Sequence, residues 1–422
     1  MEDINMIKKA DPKIAELIKK EEEHHQNIIN LIASENYPSQ AVREILSSIL
    51  VMKYSEGRPG HRYYGGMKNI DDIEELAEKR ALDLFLGKNQ AGPASSGVNW
   101  VVNVQPLSGS PANYAILRGL LNPGDTIMSL ALAHGGHLSH GAHISLSGKD
   151  FKTVNYFLDQ KSETLDYEAV ESLAKKEKPK LIIAGYSAYP RKIDFKRFRE
   201  IADSVQAYLL ADIAHISGLI AGGVHPSPFP FADVVMTTTH KTLRGPRGAI
   251  IICKEELKDK IFPMIFPGLQ GGPHNHTIAA IAVALKEAST AAFRKYSEQI
   301  VKNAQTLAEE LKKNGFRLVS GGTDNHLVLV DLTSKGVGGL EAQEILEKSG
   351  IVVNKNMIPY DTRSPKDPSG IRLGTPAITT RGMKEKEMKL IAGWINEALN
   401  DPIKAETIRK NVQKLCKRFP LP

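Results

Sequence analysis

The 422-residue sequence predicts an α/β fold, with an open sheet between helices and a second, smaller α/β domain at the carboxyl end. Three observations support this prediction. Short runs of apolar and β-branched residues alternate with segments of helical periodicity. The runs at residues 207–212 and 234–239 end at polar residues, as strands do where an open α/β sheet forms its ligand crevice. Beyond a helix predicted at residues 293–311, helices alternate with new strands at 326–332, 351–353 and 371–373.

Composition and charge are those of an ordinary globular protein, with 41% hydrophobic and 24% charged residues. The net charge of +7 comes from basic residues scattered among acids, so we expect no nucleic-acid partner. Cys253 and Cys416 cannot build a disulfide framework, which indicates a reducing compartment. The amino terminus carries acids and is not a secretory signal, and no apolar run approaches the about 18 residues of a membrane span. We therefore expect a cytoplasmic protein with no membrane association.

Helical periodicity up to about residue 30 predicts an amino-terminal arm, because Ile14, Leu17 and Ile18 recur at helical spacing among charged residues. A short helical arm at a terminus often packs on a neighbouring subunit. The predicted division of the chain is an arm at residues 1–35, a large domain at 36–292 and a small domain at 293–422.

Residues 233–248 (DVVMTTTHKTLRGPRG) combine a buried strand with a Gly/Pro-rich turn, and Lys241 stands at the carboxyl end of that strand. Desolvation at such a position lowers the pKa of a lysine, so that its amine becomes neutral and nucleophilic. A nucleophilic lysine can form a Schiff base with the aldehyde of pyridoxal phosphate (PLP). The alternative is a lysine that merely closes a surface loop, since most lysines are exposed.

A second candidate is the strand–turn–helix at residues 101–117. Gly109 permits close backbone approach, and the residue preferences at helix starts predict Ser110 at the N-cap and Pro111 at the first helical position. Hydroxyls, free amides and the helix dipole at such an N-terminus form an anion site. An ordinary helix cap is the alternative, and the segment is not a P-loop because the Gly-Lys-Ser/Thr ending is missing.

Polar residues at other strand ends fit a flat, charged ligand. Asp212 ends a buried strand, where its carboxylate needs a partner such as a pyridinium nitrogen; a helix cap for the next segment is the alternative. The loop at 133–140 carries three histidines in no zinc pattern, so we expect no metal and favour a histidine that lies against a ligand ring. Arg372 lies within a strand and requires a carboxylate from a substrate or from the protein.

The loop at residues 54–66 (YSEGRPGHRYYGG) offers a glutamate, a histidine and three tyrosines as proton donors and aromatic faces. Loops carry function more often than the elements that they connect, so this loop is a candidate site. A structured crossover loop with half-buried tyrosines is the alternative, and the residues alone favour neither.

Taken together, the motifs closely resemble the serine hydroxymethyltransferase family over nearly the whole chain. The resemblance implies the aspartate-aminotransferase-like PLP fold (fold type I), with a mostly parallel seven-stranded sheet in the large domain and a smaller carboxyl-terminal α/β domain. It also implies a homodimer or a dimer of dimers with shared active sites. The stretches that carry the resemblance are residues 31–36, 54–66, 103–113, 134–138, 212–215, 238–247, 270–273 and 369–376.

The resemblance implies a role for each matching residue. Lys241 holds PLP, Asp212 is the partner of the pyridine nitrogen, His137 stacks on the ring, and Glu56 from a partner subunit shuttles a proton. The other implied cofactor contacts are Ala214 on the second ring face, His215 and Ser187 near the phenolic oxygen, Ser108, Gly109 and Ser110 on the phosphate, and Tyr54, Gly271 and Gly272 from the partner subunit. The resemblance further implies that Tyr64, Thr238 and His240 belong to the catalytic residues that line the site. The implied substrate contacts are Arg372 and Ser34 for the carboxylate, Arg247 around the site, and Leu132, Gly136, Leu138, Asn356 and Ser364 toward the pterin.

The implied reaction interconverts L-serine and glycine and passes the one-carbon unit to tetrahydrofolate or a modified pterin, through an external aldimine and a quinonoid. Three features depart from the family pattern: a small insertion at 91–97, Ala131 in place of a usual acid, and Met236 in place of a frequent threonine. We expect them to touch no cofactor or carboxylate position. One rival function is a folate-independent threonine aldolase, against which Glu56 and the folate-side leucines argue. The other is a binding protein, for example for RNA, that has lost catalysis; the complete set of catalytic positions argues against it.

Overall fold

The computed structural model describes residues 2–87 and 98–422, so the insertion expected at 91–97 lies outside the described residues. The strands are β1 (Ile29–Asn30), β2 (Gly57–Arg58), β3 (His61–Arg62), β4 (Trp100–Asn103), β5 (Thr126–Leu130), β6 (Lys152–Tyr156), β7 (Leu181–Ala184), β8 (Tyr208–Asp212), β9 (Val234–Thr238), β10 (Ala249–Lys254), β11 (Arg317–Leu318), β12 (Leu327–Asp331), β13 (Ile351–Val352), β14 (Asn354–Asn356) and β15 (Gly370–Gly374).

Helices of very different length connect these strands. The α-helices are α1 (Glu2–Ala10), α2 (Pro12–Gln26), α3 (Gln40–Leu46), α4 (Lys68–Leu86), α5 (Gly109–Leu120), α6 (Leu146–Asp150), α7 (Tyr167–Glu177), α8 (Phe195–Ser204), α9 (Ser217–Ala221), α10 (Lys258–Pro263), α11 (Asn275–Ala288), α12 (Ala291–Lys313), α13 (Gly339–Lys348), α14 (Pro376–Thr380), α15 (Glu385–Asn400) and α16 (Ala405–Arg418). None of the helices described is both long enough and apolar enough to cross a membrane.

Seven strands form the central sheet in the order β4-β10-β9-β8-β7-β5-β6. The strands β9, β8, β7, β5 and β6 are parallel to one another, whereas β10 is antiparallel to both β4 and β9. Because β10 opposes both neighbours, β4 runs in the same direction as β9. The mostly parallel seven-stranded sheet that the sequence predicts is therefore confirmed, and six of its strands end at the same edge.

Helices cover both faces of this sheet, which explains why most positions of its central strands are apolar and buried. In β9, Val235 packs into one apolar cluster with Phe198 of α8, while Val234 and Met236 pack into another with Ile116 of α5. This alternation follows from the two-residue period of a strand, and burial on both faces favours apolar residues at successive positions such as Val234, Val235 and Met236.

A second sheet forms at the carboxyl end, with the antiparallel order β11-β12-β15-β14. Ile29 of β1 pairs in parallel with Ile351 of β13 and joins the apolar cluster around this sheet. The long helix α12 packs against both sheets. Phe293 belongs to the apolar cluster of the central sheet, and Leu307 and Leu311 belong to the cluster of the second sheet. Ile29, which follows the amino-terminal helices, is thus buried in the apolar core of the second sheet.

Candidate active site

The loops that follow the strands of the central sheet enclose a cavity of about 390 Å³. The parallel strands bring their carboxyl ends to this edge, where open α/β sheets hold their ligands. The cavity lining contains most of the cofactor and substrate residues that the sequence predicts: Ser34, Ser108, Gly109, Ser110, His137, Ser187, Asp212, Ala214, His215, Thr238, His240, Lys241, Arg247 and Arg372.

Lys241 lies in this lining, three residues beyond the end of β9, and not on an open surface loop. Burial lowers the pKa of Lys241 to about 8; the Asp212 charge opposes the shift, whereas the Arg372 and Arg247 charges add to it. An ordinary lysine titrates near a pKa of about 10.4, so Lys241 is neutral much more often at physiological pH. The Asn36 side-chain amide donates to the Lys241 carbonyl at 2.9 Å and fixes the turn that carries the amine.

Asp212 is buried at the end of β8 and is held by three donors. Its Oδ2 accepts hydrogen bonds from His140 Nε2 and Asn113 Nδ2, both at 2.8 Å, and its Oδ1 accepts one from the Ala214 N–H at 3.0 Å. Burial raises the pKa of Asp212, but the His140 hydrogen bond and the other donors outweigh burial and hold the pKa well below its ordinary value. The Ala214 bond closes a local turn and caps no helix, because the next helix, α9, has Ile216 at its N-cap without a side-chain cap hydrogen bond. The alternative interpretation of Asp212 as a helix cap was therefore wrong, and its carboxylate lines the cavity as an anion.

Sequence reasoning gave no role to Asn113 and His140, although both support Asp212. Asn113 is a fully buried amide in α5, and a buried amide requires polar partners, which is the signal that could have identified it. Asn113 also donates to the Ser139 hydroxyl at 2.9 Å, and that hydroxyl lies 2.7 Å from His137 Nδ1. One hydrogen-bond network therefore joins the predicted stacking histidine to the buried carboxylate.

His137 is neutral in this network. Burial lowers the pKa of His137 to about 4, and the nearby His140 acts in the same direction. A neutral imidazole presents a flat face without a charge to a ligand ring, which suits the stacking role that the sequence predicts.

The predicted phosphate segment begins its helix two residues earlier than the sequence indicates. α5 begins at Gly109, with Ser108 at the N-cap in an extended conformation (φ −165°, ψ 174°), so the prediction of Ser110 at the N-cap was wrong. Ser110 and Pro111 lie in the first turn instead. A Cβ added to Gly109 would lie 2.8 Å from Cγ2 of Thr238, which explains the glycine. Both serines line the cavity at the positive end of a twelve-residue helix, a site suited to a phosphate.

Arg372 reaches the cavity from β15 of the second sheet. Its Nη1 donates to the Ser187 carbonyl at 2.7 Å and its Nε donates to Asn354 Oδ1 at 3.1 Å. Burial lowers the pKa of Arg372 to about 10, so the guanidinium stays cationic at neutral pH. Within the described residues no carboxylate pairs with it and its Nη2 has no partner. The remaining donors are therefore available to the carboxylate of a substrate.

One of the departures from the family pattern lies in the site. Met236 lines the cavity, and its Cε lies 3.7 Å from the position that a Cβ of Gly109 would occupy. The expectation that it touches no cofactor position was wrong, because Met236 and Thr238 share one face of β9 and both adjoin Gly109. Ala131 is buried directly after β5 and does not belong to the cavity lining.

The residues that the resemblance assigns to a partner subunit form a second cluster outside the cavity lining, together with Tyr64, which was predicted beside Thr238, His240 and Arg247. In this Glu56 cluster, the Tyr64 hydroxyl donates to Glu56 Oε2 at 3.4 Å, and the Tyr54 and Tyr64 ring centroids are 5.4 Å apart. A Cβ on Gly271 would lie 3.3 Å from Glu56 Oε1, and one on Gly272 would lie 3.2 Å from the Tyr54 ring. These five residues therefore share one surface of the chain.

The predicted pterin contacts also lie outside the cavity lining, on two segments: Leu132, Gly136 and Leu138 after β5, and Asn356 and Ser364 around β14. Leu132 and Leu138 are about half exposed. Tyr360 joins the two segments, because its ring centroid is 4.6 Å from that of His134 and its hydroxyl donates to the Leu158 carbonyl at 2.7 Å.

The cavity meets the three chemical requirements of PLP. Lys241 offers an amine for the aldehyde, and Asp212 offers an anion for the ring nitrogen. At the start of α5, Gly109 leaves the backbone open to a phosphate because it has no side chain. The described residues contain no group of three or more side chains that could hold a metal ion. The fold and the site together define the class: a PLP-dependent enzyme of fold type I.

Comparison with known proteins gives the family. Residues 7–395 match the family described as "Serine hydroxymethyltransferase". A relative of that name from Methanosarcina barkeri is 56% identical over 99% of this chain and 100% of its own length. Another of that name, from Desulfotalea psychrophila, is 53% identical over 99% of this chain and 96% of its own length. The chain belongs to the serine hydroxymethyltransferase family. It is a PLP-dependent enzyme (EC 2.1.2.1) that interconverts L-serine and glycine with tetrahydrofolate as co-substrate.

Proposed function

We propose that the Lys241 cavity performs this reaction, with the residue roles that the sequence predicts. One observation carries the proposal: a lysine of lowered pKa, a buried anionic carboxylate and an arginine without a carboxylate partner line the same cavity. The test is turnover of L-serine by the PLP-loaded protein with and without tetrahydrofolate. We expect turnover to require the pterin, and equal rates in its absence would favour the threonine-aldolase alternative.

Each group in the cavity has a task that its environment supports. When bound, PLP supplies an aldehyde and an electron-accepting pyridinium ring. Lys241 would bind the aldehyde carbon through its amine, and Asp212 would keep the ring nitrogen protonated. Arg372, with Ser34, would orient the carboxylate of the amino acid, while Ser108, Gly109 and Ser110 would hold the phosphate. His137 and Ala214 would contact the ring, and Ser187 and His215 would lie near its phenolic oxygen. Thr238, His240 and Arg247 line the rest of the site.

Glu56 is the proton shuttle, and we assign it to the site of a second copy. Within one chain Glu56 lies with Tyr54, Tyr64, Gly271 and Gly272 outside the cavity lining, so it serves catalysis only if a second chain brings it to a cavity. The adjacent 3-10 helix supports such an interface, because Ile49, Val51 and Met52 are 77%, 63% and 70% exposed. An apolar patch that exposed is typical of a protein–protein contact. The proposed assembly is a homodimer or a dimer of dimers with shared sites.

Subunit mixing tests the shared site. We expect neither Glu56→Ala nor Lys241→Ala to be active alone, whereas a hybrid dimer of the two should contain one intact site. An equal mixture should recover roughly a quarter of wild-type activity, since about half of the dimers are hybrids with one of two sites restored. Lys241→Ala mixed with Asp212→Asn is the matched control, because both changes lie in the same half-site and no intact site forms. Verified hybrids without recovery would place Glu56 in its own chain's site.

Three further assignments belong to this proposal. The proposed pterin contacts are Leu132, Gly136, Leu138, Asn356 and Ser364. Turnover with tetrahydrofolate and with modified pterins would show which carrier is used.

The proposed domains are the arm at 1–35, the large domain at 36–292 and the small domain at 293–422. Limited proteolysis with identification of the fragments tests these boundaries. The compartment is the cytoplasm, which cell fractionation tests.

A further inference from the structure

Two buried histidines meet behind the cavity. His215 follows β8 of the central sheet and lines the cavity, whereas His326 directly precedes β12 of the second sheet and is fully buried. The Nδ1 of His215 lies 3.2 Å from the Nε2 of His326, and the ring centroids are 5.4 Å apart. One side-chain hydrogen bond therefore joins the cavity wall to the second sheet.

Both histidines are neutral at physiological pH. Burial lowers the pKa of His326 to about 3, with the nearby Arg372 and Lys241 charges in support. Burial also lowers the pKa of His215 well below its ordinary value, and the same two cations add to the shift. A neutral imidazole carries one N–H and one lone pair, so the direction of the shared hydrogen bond decides the tautomer of both rings.

The surroundings of His326 decide this direction. His326 Nδ1 is buried and has no hydrogen-bond partner among the described residues. If His215 donated the shared bond, His326 would carry its proton on Nδ1 as a buried N–H without an acceptor. If His326 donates from Nε2, its Nδ1 keeps only an unused lone pair. Buried donors without an acceptor are rarer than unfilled acceptors, so the second arrangement is favoured.

We propose that His326 is a positioning residue that fixes His215 as the tautomer with its proton on Nε2. The Nε2 of His215 has no protein partner among the described residues, and its ring lines the cavity, so this tautomer presents an N–H donor there. The inference rests on the proposed function, in which His215 faces the phenolic oxygen of PLP. A fixed donor at that position stabilises the anionic form of the oxygen. Because His326 lies beside β12, this donor depends on the packing of the second sheet against the first.

Nitrogen NMR of the full chain without cofactor tests the tautomer directly. The protein is labelled with ¹⁵N-histidine, and the His215 signals are identified by their loss in His215→Gln. In the wild type we expect a protonated Nε2 and an unprotonated Nδ1 on His215. His326→Leu should give a mixture of tautomers, and His326→Gln should restore the wild-type state because its amide can donate from the same position. His24→Gln, an exposed change in α2, should leave the His215 signals unchanged.

A His215 protonated on Nδ1 in the wild type, or a tautomer that His326→Leu does not alter, would overturn the inference. If His326→Leu does not fold, the wild type and His326→Gln still decide it. In the PLP-loaded protein we expect His326→Leu to shift the visible absorption band and to lower kcat about tenfold with an unchanged KM for serine, while His326→Gln restores both. Absence of any PLP band in the wild type would contradict the proposed function instead. The NMR measurement without cofactor does not depend on that result, so it still decides the tautomer of His215.

Discussion

The Lys241 cavity and the Glu56 cluster differ in how the fold treats their ionisable groups. In the cavity, Asp212 is 7% exposed and is held by two donors from other segments, Asn113 and His140, and by the nearby Ala214 N–H. In the Glu56 cluster, Tyr54 is 58% exposed and the Tyr64–Glu56 hydrogen bond, at 3.4 Å, is long. The cavity therefore has its electrostatics prepared within one chain, whereas the cluster acquires a comparable environment only when another surface covers it.

Exposure of the Glu56 cluster does not mean that its loop lacks structure. Arg62 of the short β2–β3 hairpin bonds Asp71 at 2.8 Å and Glu74 at 2.7 Å, and it donates to the Ser55 and Gly57 carbonyls at 2.9 Å and 2.7 Å. The side chain of Arg62 is only 3% exposed. A buried arginine thus holds a structured loop, as the second interpretation of residues 54–66 expects, but the tyrosines are exposed and not half-buried. The functional role of the loop stays a prediction.

Replacing the amine of the cavity should have the largest effect. Lys241→Ala should lower kcat for serine by a factor on the order of a thousand or more, since loss of a catalytic nucleophile has effects of this size. The measurement is pterin-dependent serine turnover together with the visible PLP band, which should be lost. Lys196→Ala, a change at an exposed lysine, should alter neither. Turnover near the wild-type rate in Lys241→Ala would remove the cavity from the reaction.

Neutralising the buried carboxylate should have the next largest effect. Asp212→Asn keeps the shape but removes the anion for the ring nitrogen, so kcat should fall about a hundredfold, as it does when one preorganised electrostatic partner is lost. Asp233→Asn is the matched control, because Asp233 is a buried carboxylate paired with Lys254 and Arg199 outside the cavity. Equal losses of kcat in both variants would indicate a general effect on folding and not a role for Asp212 in the site.

The pH dependence of PLP binding by Lys241 should show a smaller effect, whose direction follows from the lowered pKa of the amine. Only the neutral amine attacks an aldehyde, so the rate at which added PLP develops its visible band with the cofactor-free protein should rise with pH to a plateau, with a midpoint near 8. The Asp212 charge raises the pKa of Lys241, so Asp212→Asn should move the midpoint to lower pH. A midpoint near the ordinary lysine value of about 10.4 would show that the amine is not desolvated.

The smallest effect is expected where the two pterin-side segments meet. Tyr360→Phe removes the hydrogen bond to the Leu158 carbonyl, which is worth about 1 kcal/mol, so the KM for tetrahydrofolate should rise about fivefold. Cleavage of allo-threonine without a pterin should stay unchanged, because the Lys241 cavity is intact. Tyr208→Phe, whose tyrosine lies at the start of β8, serves as the control. An equal loss in both reactions would mean that Tyr360 acts on the cavity itself.

Much of the fold followed from the sequence because strand and helix patterns are local. The apolar run of β9, the acid at the end of β8 and the strand that carries Arg372 were all predicted, and the structure has them within one or two residues. The start of α5 was missed by two residues. Ser108 and Ser110 are both good cap residues, and the extended backbone of Ser108 decides between them only in the folded chain.

Only the tertiary structure decided which hydrogen-bond partners the buried polar groups have. Asn113 and Asp212 are 99 positions apart in the sequence, and His215 and His326 are 111 positions apart. No local sequence pattern therefore predicts either hydrogen bond. By itself the sequence determined the strands and predicted most of the polar side chains that meet at one edge of the sheet. Long-range packing determined that Asp212 is held as an anion, that His137 is neutral and that Glu56 lies outside the cavity lining of its own chain, because burial and hydrogen bonding depend on contacts between distant segments.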